Sequence, residues 1–243
     1  MIARGHDLET AAARRQLIYG RAKGKPLSAR QQALMETLLP RVAVPLDRAP
    51  LDPRTLFADA HEVHLEVGFG GGEHLIARAR AAPDTGFIGC EPFINGVAKA
   101  LAGIAEAGLD NVRLHHGDAR DVLDALPDAA LAAVDVLYPD PWPKARHHKR
   151  RFIGPDTLTA LARTIRPGGR LRVVSDIPDY IRWTLVEIAR DGSFAWTARQ
   201  PADWRTPPPG WPGTRYEAKA IREGRAPCYL EFRQACMRNG DWP

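Results

Sequence analysis

The stretch HEVHLEVGFGGG, residues 61–72, decides the fold. Its first seven residues read as a buried strand, and Gly68, Gly70, Gly71 and Gly72 then make a turn in which four of five positions are glycine. EHLIARARAA, residues 73–82, continues with the pattern of a helix. A glycine turn between a strand and a helix is where an open parallel α/β sheet begins its ligand crevice.

Downstream, FIGCEP (87–92), NVRLHHGD (111–118) and LAAVDVLYPDPW (131–142) read as further strands, and RPGGRLRVVSD (166–176) as a tight turn into a fifth. Helical patterns over 94–109, 119–126, 157–165 and 179–192 separate or follow them. Strands alternating with helices of about ten residues imply βαβ units and a doubly wound parallel sheet. SFAWTARQ (193–200) and APCYLEFRQ (226–234) add two strands around the loop TPPPGWPGTRYE (206–217), giving a mostly parallel seven-stranded α/β sheet with helices on both faces.

The chain has 243 residues, enough for one large α/β domain with its own core. Its formal net charge is +5, an excess whose placement matters more than its size. Three cysteines without CxxC spacing argue against zinc and against a disulfide framework, and fit a reducing cytosol. MIARGHDLET has no signal-peptide core and no run approaches membrane-spanning length, so a cytoplasmic protein with no metal is expected. Residues 10–35 carry no acid but include Arg14, Arg15, Arg21, Lys23, Lys25 and Arg30. Broken by Gly20, Gly24 and Pro26, they read as a flexible basic arm. A short helix over 31–40, ended by Pro40, completes an N-terminal segment 1–40 ahead of the main domain 41–243.

The acids at the strand ends say what the crevice holds. A dinucleotide turn wants G-x-G-x-x-G, but Glu73 takes the last place and Glu66 stands where a pyrophosphate would dock. Glu91 ends the second strand, where an acid accepts from ribose hydroxyls, and Asp118 ends the third, near an adenine edge. Three acids at three consecutive strand ends predict an acidic site for a cationic cofactor such as S-adenosylmethionine. Asp140 ends the fourth strand between Pro139 and Pro141, which fix their own φ and push their predecessors toward extended backbone. Trp142 offers either a stacking face for a base or a pin for the loop. Five Lys/Arg and two His then fill positions 144–151, with no acid from Pro141 through Pro155. A cationic loop beside the crevice points to a nucleic-acid substrate held by its phosphates.

LEVGFGGG (65–72), GCEP (89–92), HHGDA (115–119), YPDPWPKARHHKRRF (138–152), VVSDIPDY (173–180) and TRYEAKAIREGR (214–225) occur in this order. Together they resemble the bacterial tRNA (guanine-N7)-methyltransferases over about residues 14–235. The resemblance implies a Rossmann-like, class I S-adenosylmethionine-dependent domain that methylates N7 of guanosine at position 46 of the tRNA variable loop. S-adenosylhomocysteine would be the second product, and the enzyme a monomer or homodimer. It implies cofactor contacts by Glu66, Gly68, Gly70, Glu91, Asp118 and Asp140, with Asp140 also catalytic. Lys144, Asp176, Thr214, Arg215, Tyr216 and Glu217 would contact substrate, and Arg146, His147, His148, Lys149, Arg150 and Arg151 would face RNA. Many members have Lys-Phe where Arg215-Tyr216 stand and Arg-Gly where Lys219-Ala220 stand, which leaves the loop geometry at Ala220 open. Two rival readings are an adenine amino-methyltransferase, whose acid-Pro-aromatic loop also ends a fourth strand, and a non-catalytic RNA-binding protein on the same fold. Glu66 and Glu73 disfavour a dinucleotide oxidoreductase.

Overall fold

The structure, a computed structural model, describes residues 24–235 apart from 49 and 58. Arg14, Arg15, Arg21, Lys23 and Cys236 lie outside the described residues. Seven strands form one sheet: β1 (Glu62–Val67), β2 (Thr85–Cys90), β3 (Val112–His115), β4 (Leu131–Leu137), β5 (Ile165–Ser175), β6 (Phe194–Trp196) and β7 (Cys228–Gln234). Their order is β3-β2-β1-β4-β5-β7-β6. β1 to β5 pair in parallel, while β7 runs antiparallel between β5 and β6. The order reverses between β1 and β4, which in such sheets is where ligands bind.

The helices are α1 (Ala29–Thr37), α2 (Leu39–Val42), α3 (Glu73–Ala81), α4 (Ile94–Ala107), α5 (Ala119–Ala125), α6 (Pro155–Thr164), α7 (Pro178–Asp191), α8 (Ala202–Arg205) and α9 (Arg215–Arg222). Side-chain alternation assigns the strands two faces. Val63, Leu65, Ile88, Val134, Val136, Leu171, Val173, Leu230 and Phe232 share one core with Leu123, Leu158, Leu161, Tyr180 and Ile188 from α5, α6 and α7. On the other face, Phe87, Val112 and Leu114 pack with Leu75, Val97, Leu101 and Ile104 of α3 and α4.

Two expectations for the flanking segments are corrected, and the basic arm has anchors. From residue 24 onward it is tied down at several points while Lys25 and Arg30 stay exposed. The Gly24 amide donates to Asn95 Oδ1 at 2.9 Å, Asn95 Nδ2 donates to Lys25 O at 2.7 Å, and Leu34, Met35 and Leu38 join the α3–α4 core. Ser28 and Gln31 start α1 as a reciprocal capping box, a signal present in the SARQ tetrapeptide. Pro40 does not end that helix. It occupies the first turn of α2, where its missing amide costs nothing. The loop assigned to 206–217 ends in a helix, because Thr214 caps α9 by accepting from the Glu217 amide at 3.0 Å.

Beyond the cover of α3 and α4, the sheet face over β4, β5 and β7 is charged. Glu66, Asp135, Arg172 and Glu231 stand in register across four neighbouring strands. Arg170 reaches both Asp135 oxygens at 3.1 Å, and Arg172 reaches Glu231 at 2.8 Å and Asp135 at 3.7 Å. Burial alone would raise the Asp135 pKa, but Arg170 and Arg172 outweigh it and hold the carboxyl low. A depressed acid stabilises the fold above its unfolded value, near ~3.9, and loses that contribution as pH falls through the folded value. Asp135→Asn should therefore cost roughly 3–5 kcal/mol at neutral pH, by leaving buried guanidinium groups uncompensated. In urea denaturation the deficit relative to wild type should shrink as pH falls below about 4. Equal neutral-pH stability of the two proteins would show that the charge row carries no weight.

Candidate active site

The turn after β1 is held from two directions. The Gly70 amide donates to Glu91 Oε2 at 2.7 Å, and the Phe93 amide donates to Glu91 Oε1 at 2.9 Å. Burial pushes the Glu91 carboxyl up, against the pull of these two amides. Gly70 adopts φ +59°, a region that favours glycine. On the far side Gly96 in the first turn of α4 faces it so closely that a Cβ would collide with the Gly70 carbonyl oxygen. Gly96 was not anticipated. Its signal was a glycine inside a helical pattern, where a glycine costs helix stability and points to a packing reason.

A cavity of about 420 Å³ opens beside this turn, at the carboxyl ends of β1, β2 and β4. That volume lies within the range of small-ligand sites. Gly68, Gly70, Glu91, Asp118, Asp140, Trp142, Arg150, Arg215 and Tyr216 all line it, so the structure brings together five of the six expected cofactor residues with a few of the expected substrate and RNA residues. Asp118 also caps α5, accepting from the Arg120 amide at 2.9 Å and pairing with Arg120 Nη1 at 2.9 Å. Asp140 stands at the rim and, among the described residues, forms no hydrogen bond or ion pair. Desolvation by the surrounding protein pushes its carboxyl above the ordinary 3.8.

Several expected residues stand outside the lining of the large cavity. Val67 lines it, and alternation along β1 turns the Glu66 side chain the other way. Its Oε2 lies 2.7 Å from His74 Nδ1, beside a small adjoining pocket that Tyr138, Thr214 and Tyr216 also line. Nor is the large cavity purely acidic, since Arg120, Arg150 and Arg215 share its wall with Glu91, Asp118 and Asp140. Glu217 is buried, with Trp211 Nε1 donating to one carboxylate oxygen at 2.6 Å and the Tyr229 hydroxyl to the other. Each of its oxygens thus already takes one donor from the protein. Asp176 pairs with Arg225 and lies outside the cavity lining. Ala220 is a fully buried position inside α9, so no loop geometry depends on a glycine there.

The proline loop departs from expectation too. Tyr138 and Trp142, each followed by a proline, adopt φ +49° and +41° rather than extended backbone. The following ring excludes the right-handed region. The Tyr138 amide donates to Val174 O at 2.8 Å, and its ring stacks on Tyr216 at 6.3 Å. Trp142 both lines the cavity and is packed in the loop, with the Arg150 guanidinium 5.0 Å from its ring centre and His147 edge-on at 5.9 Å. Residues Ala145–Arg150 form one 3₁₀ helix. Lys144, Arg146 and Lys149 are exposed on it, while His148 turns inward onto Trp183 at 5.1 Å. Arg151 is buried rather than facing RNA, with its Nε and Nη2 bonded to Asp179 and to the carbonyls of Pro141 and Trp142.

Among the described residues, no group of three or more His, Cys, Asp or Glu is placed to hold a metal ion. None of their helices is long and apolar enough to cross a membrane.

Solved structures share this architecture. The 16S rRNA methyltransferase KamB superposes with TM-score 0.57 at 17% identity, over 75% of this chain and 92% of its own. A 16S rRNA (adenine(1408)-N(1))-methyltransferase variant from Catenulisporales acidiphilia, solved with cosubstrate SAM, gives 0.52 at 18%, over 79% and 95%. At this identity the likeness establishes the fold alone, one these methyltransferases share. The family described as "Putative methyltransferase" matches residues 60–229. A tRNA (guanine-N(7)-)-methyltransferase of Mesorhizobium japonicum is 52% identical over 89% of this chain and 94% of its own length. One of Brucella melitensis is 50% identical over 96% and 99%. The chain belongs to the tRNA (guanine-N(7)-)-methyltransferase family.

Gly96→Ala should displace the Gly70 carbonyl at a strain cost of roughly 1–3 kcal/mol and weaken S-adenosylhomocysteine binding accordingly. Calorimetric titration reads this directly, and unchanged affinity would mean that the turn is not held by α4.

Proposed function

We propose that the protein transfers a methyl group from S-adenosylmethionine to N7 of guanosine 46 in the variable loop of tRNA, in the cytoplasm. The observation that carries this reading is the juxtaposition of a small-ligand cavity, whose wall includes Glu91, Asp118 and Asp140, with the exposed cations Lys144, Arg146 and Lys149. Family membership supplies the chemistry expected there.

The donor set suits S-adenosylmethionine. Each Glu91 oxygen takes one backbone amide and keeps acceptor capacity for a ribose hydroxyl. Gly68 and Gly70 let the chain approach closely, and Asp118 stands where an adenine edge would be met. When bound, the cofactor supplies an electrophilic methyl group and leaves as S-adenosylhomocysteine. The protein's own task is placement. Guanine N7 presents an exposed lone pair in the major groove and needs no deprotonation, so alignment supplies most of the rate. Asp140 accepts a hydrogen bond from guanine and favours the positive charge that develops on the purine. Trp142 and Tyr216 offer ring faces to the base, Arg215 and Thr214 bound the site on its α9 side, and the exposed cations grip phosphate.

A rival amino-methyltransferase reading is separated by the product. Labelled S-adenosylmethionine and unmodified tRNA should yield N7-methylguanosine, whereas a methylated adenine would replace this proposal. Asp140 works as the anion and its pKa is raised by desolvation. Turnover should therefore fall on acidification at a pH above the ordinary carboxyl value of 3.8. Asp140→Asn should lower kcat and remove that limb, and a profile identical in both proteins would refute the electrostatic role. Replacing Arg146 and Lys149 with Ala should flatten the log–log salt dependence of tRNA binding by up to ~0.9 per lost phosphate contact.

A further inference from the structure

Arg151 ends the most basic run of the chain, yet its side chain is only 1% exposed. Its Nε donates to Pro141 O at 2.9 Å and its Nη2 to Trp142 O at 3.4 Å, the two residues after Asp140. The same Nη2 bonds the carboxylate of Asp179 in the first turn of α7. The guanidinium lies over Tyr180 and Trp183, 5.5 and 5.0 Å from their ring centres. These rings also hold the chain just beyond Arg151: the Ile153 amide donates to the Tyr180 hydroxyl at 3.3 Å, and Trp183 Nε1 donates to Ile153 O at 2.7 Å. Arg120, which pairs with Asp118, reaches the Arg151 carbonyl at 3.5 Å.

This socket acts on a strained piece of backbone. A non-glycine residue in the left-handed region, as Trp142 is at φ +41°, costs on the order of 1–3 kcal/mol and persists only where its surroundings over-determine it. A rigid planar fork bonded to two successive carbonyls, and anchored on a helix, supplies that determination. Lysine, a point charge with no fork, would not.

We propose that Arg151 is a positioning residue for methyl transfer: anchored on Asp179, it holds the carbonyls of Pro141 and Trp142 so that Asp140 and Trp142 keep their places in the cavity wall. It acts through the loop and touches neither RNA nor cofactor. This inference rests on the function proposed above, and its test separates the two.

Wild type, Arg151→Met, Arg151→Lys and the Arg146→Ala, Lys149→Ala double variant are compared for kcat, KM for tRNA, the salt slope of tRNA binding and affinity for S-adenosylhomocysteine. Both Arg151 variants should lose roughly tenfold to a hundredfold in kcat, the scale of a small misplacement. The salt slope and S-adenosylhomocysteine affinity should stay at wild-type values, whereas the double variant should flatten the salt slope. A slope shallower by ~0.7–0.9 in Arg151→Met would make the residue a phosphate contact and overturn the proposal. Full kcat in Arg151→Met, or in Arg151→Lys, overturns it as well. If circular dichroism shows that Arg151→Met does not fold, Asp179→Ala, altered at a half-exposed side chain, decides. The same selective loss of kcat supports the proposal, and unchanged kcat overturns it. A wild-type protein that does not methylate tRNA sinks the proposed function and this inference together.

Discussion

The bond from the Gly70 amide to the Glu91 carboxylate is the constraint on which the active site depends. It ties the turn after β1 to the end of β2, across the strand pair that begins the fold. The Phe93 amide, on the other carboxylate oxygen, ties the same group to the entrance of α4. Gly96 then lets α4 close against the Gly70 carbonyl. One buried acid thus sets the mutual position of two strands, a turn and a helix before any ligand arrives. The cofactor side of the cavity is built from backbone that has little freedom left.

The opposite wall is built differently. Pro139, Pro141 and Pro143 stiffen the loop after β4, but they do not aim it, and two of the residues that precede them, Tyr138 and Trp142, sit in the left-handed region. Direction comes from elsewhere: β5 takes the Tyr138 amide, and Arg151 takes the carbonyls of Pro141 and Trp142. Charge is likewise shared between walls. Arg120, Arg150 and Arg215 face Glu91, Asp118 and Asp140, so a cationic cofactor meets a nearly balanced field with its acids at chosen points.

The sheet was legible because its signals are local. Glycines between a strand and a helix, periodic helices and strand-length apolar runs are properties of neighbouring residues, and all seven strands stand where they were read. Positions facing the cavity were legible in part for the same reason, as Glu91, Asp118 and Asp140 follow strand ends. The direction of Glu66 was not legible because the side to which a strand residue points depends on register with partners 23 and 69 positions away, Gly89 and Asp135. The burial of Arg151 and Glu217 was not legible because a charge in a polar run looks solvated until its distant partners, Asp179 and Tyr229, are known. Charge runs report composition, and burial is decided by the fold.

The strand order has a consequence for synthesis. β1 pairs on one side with β2, which follows closely, and on the other with β4, which begins at Leu131, 64 residues after Val67 (131 − 67). At a translation rate of ~5–20 residues per second, the nascent chain carries β1 as an open edge for on the order of several seconds. Glu62, His64 and Glu66 alternate along that edge with Val63, Leu65 and Val67. Inward-pointing ionisable groups discourage a strand from adding to a neighbouring chain. The residues that later join the charged face of the sheet therefore also guard its unfinished centre while the ribosome is still at work.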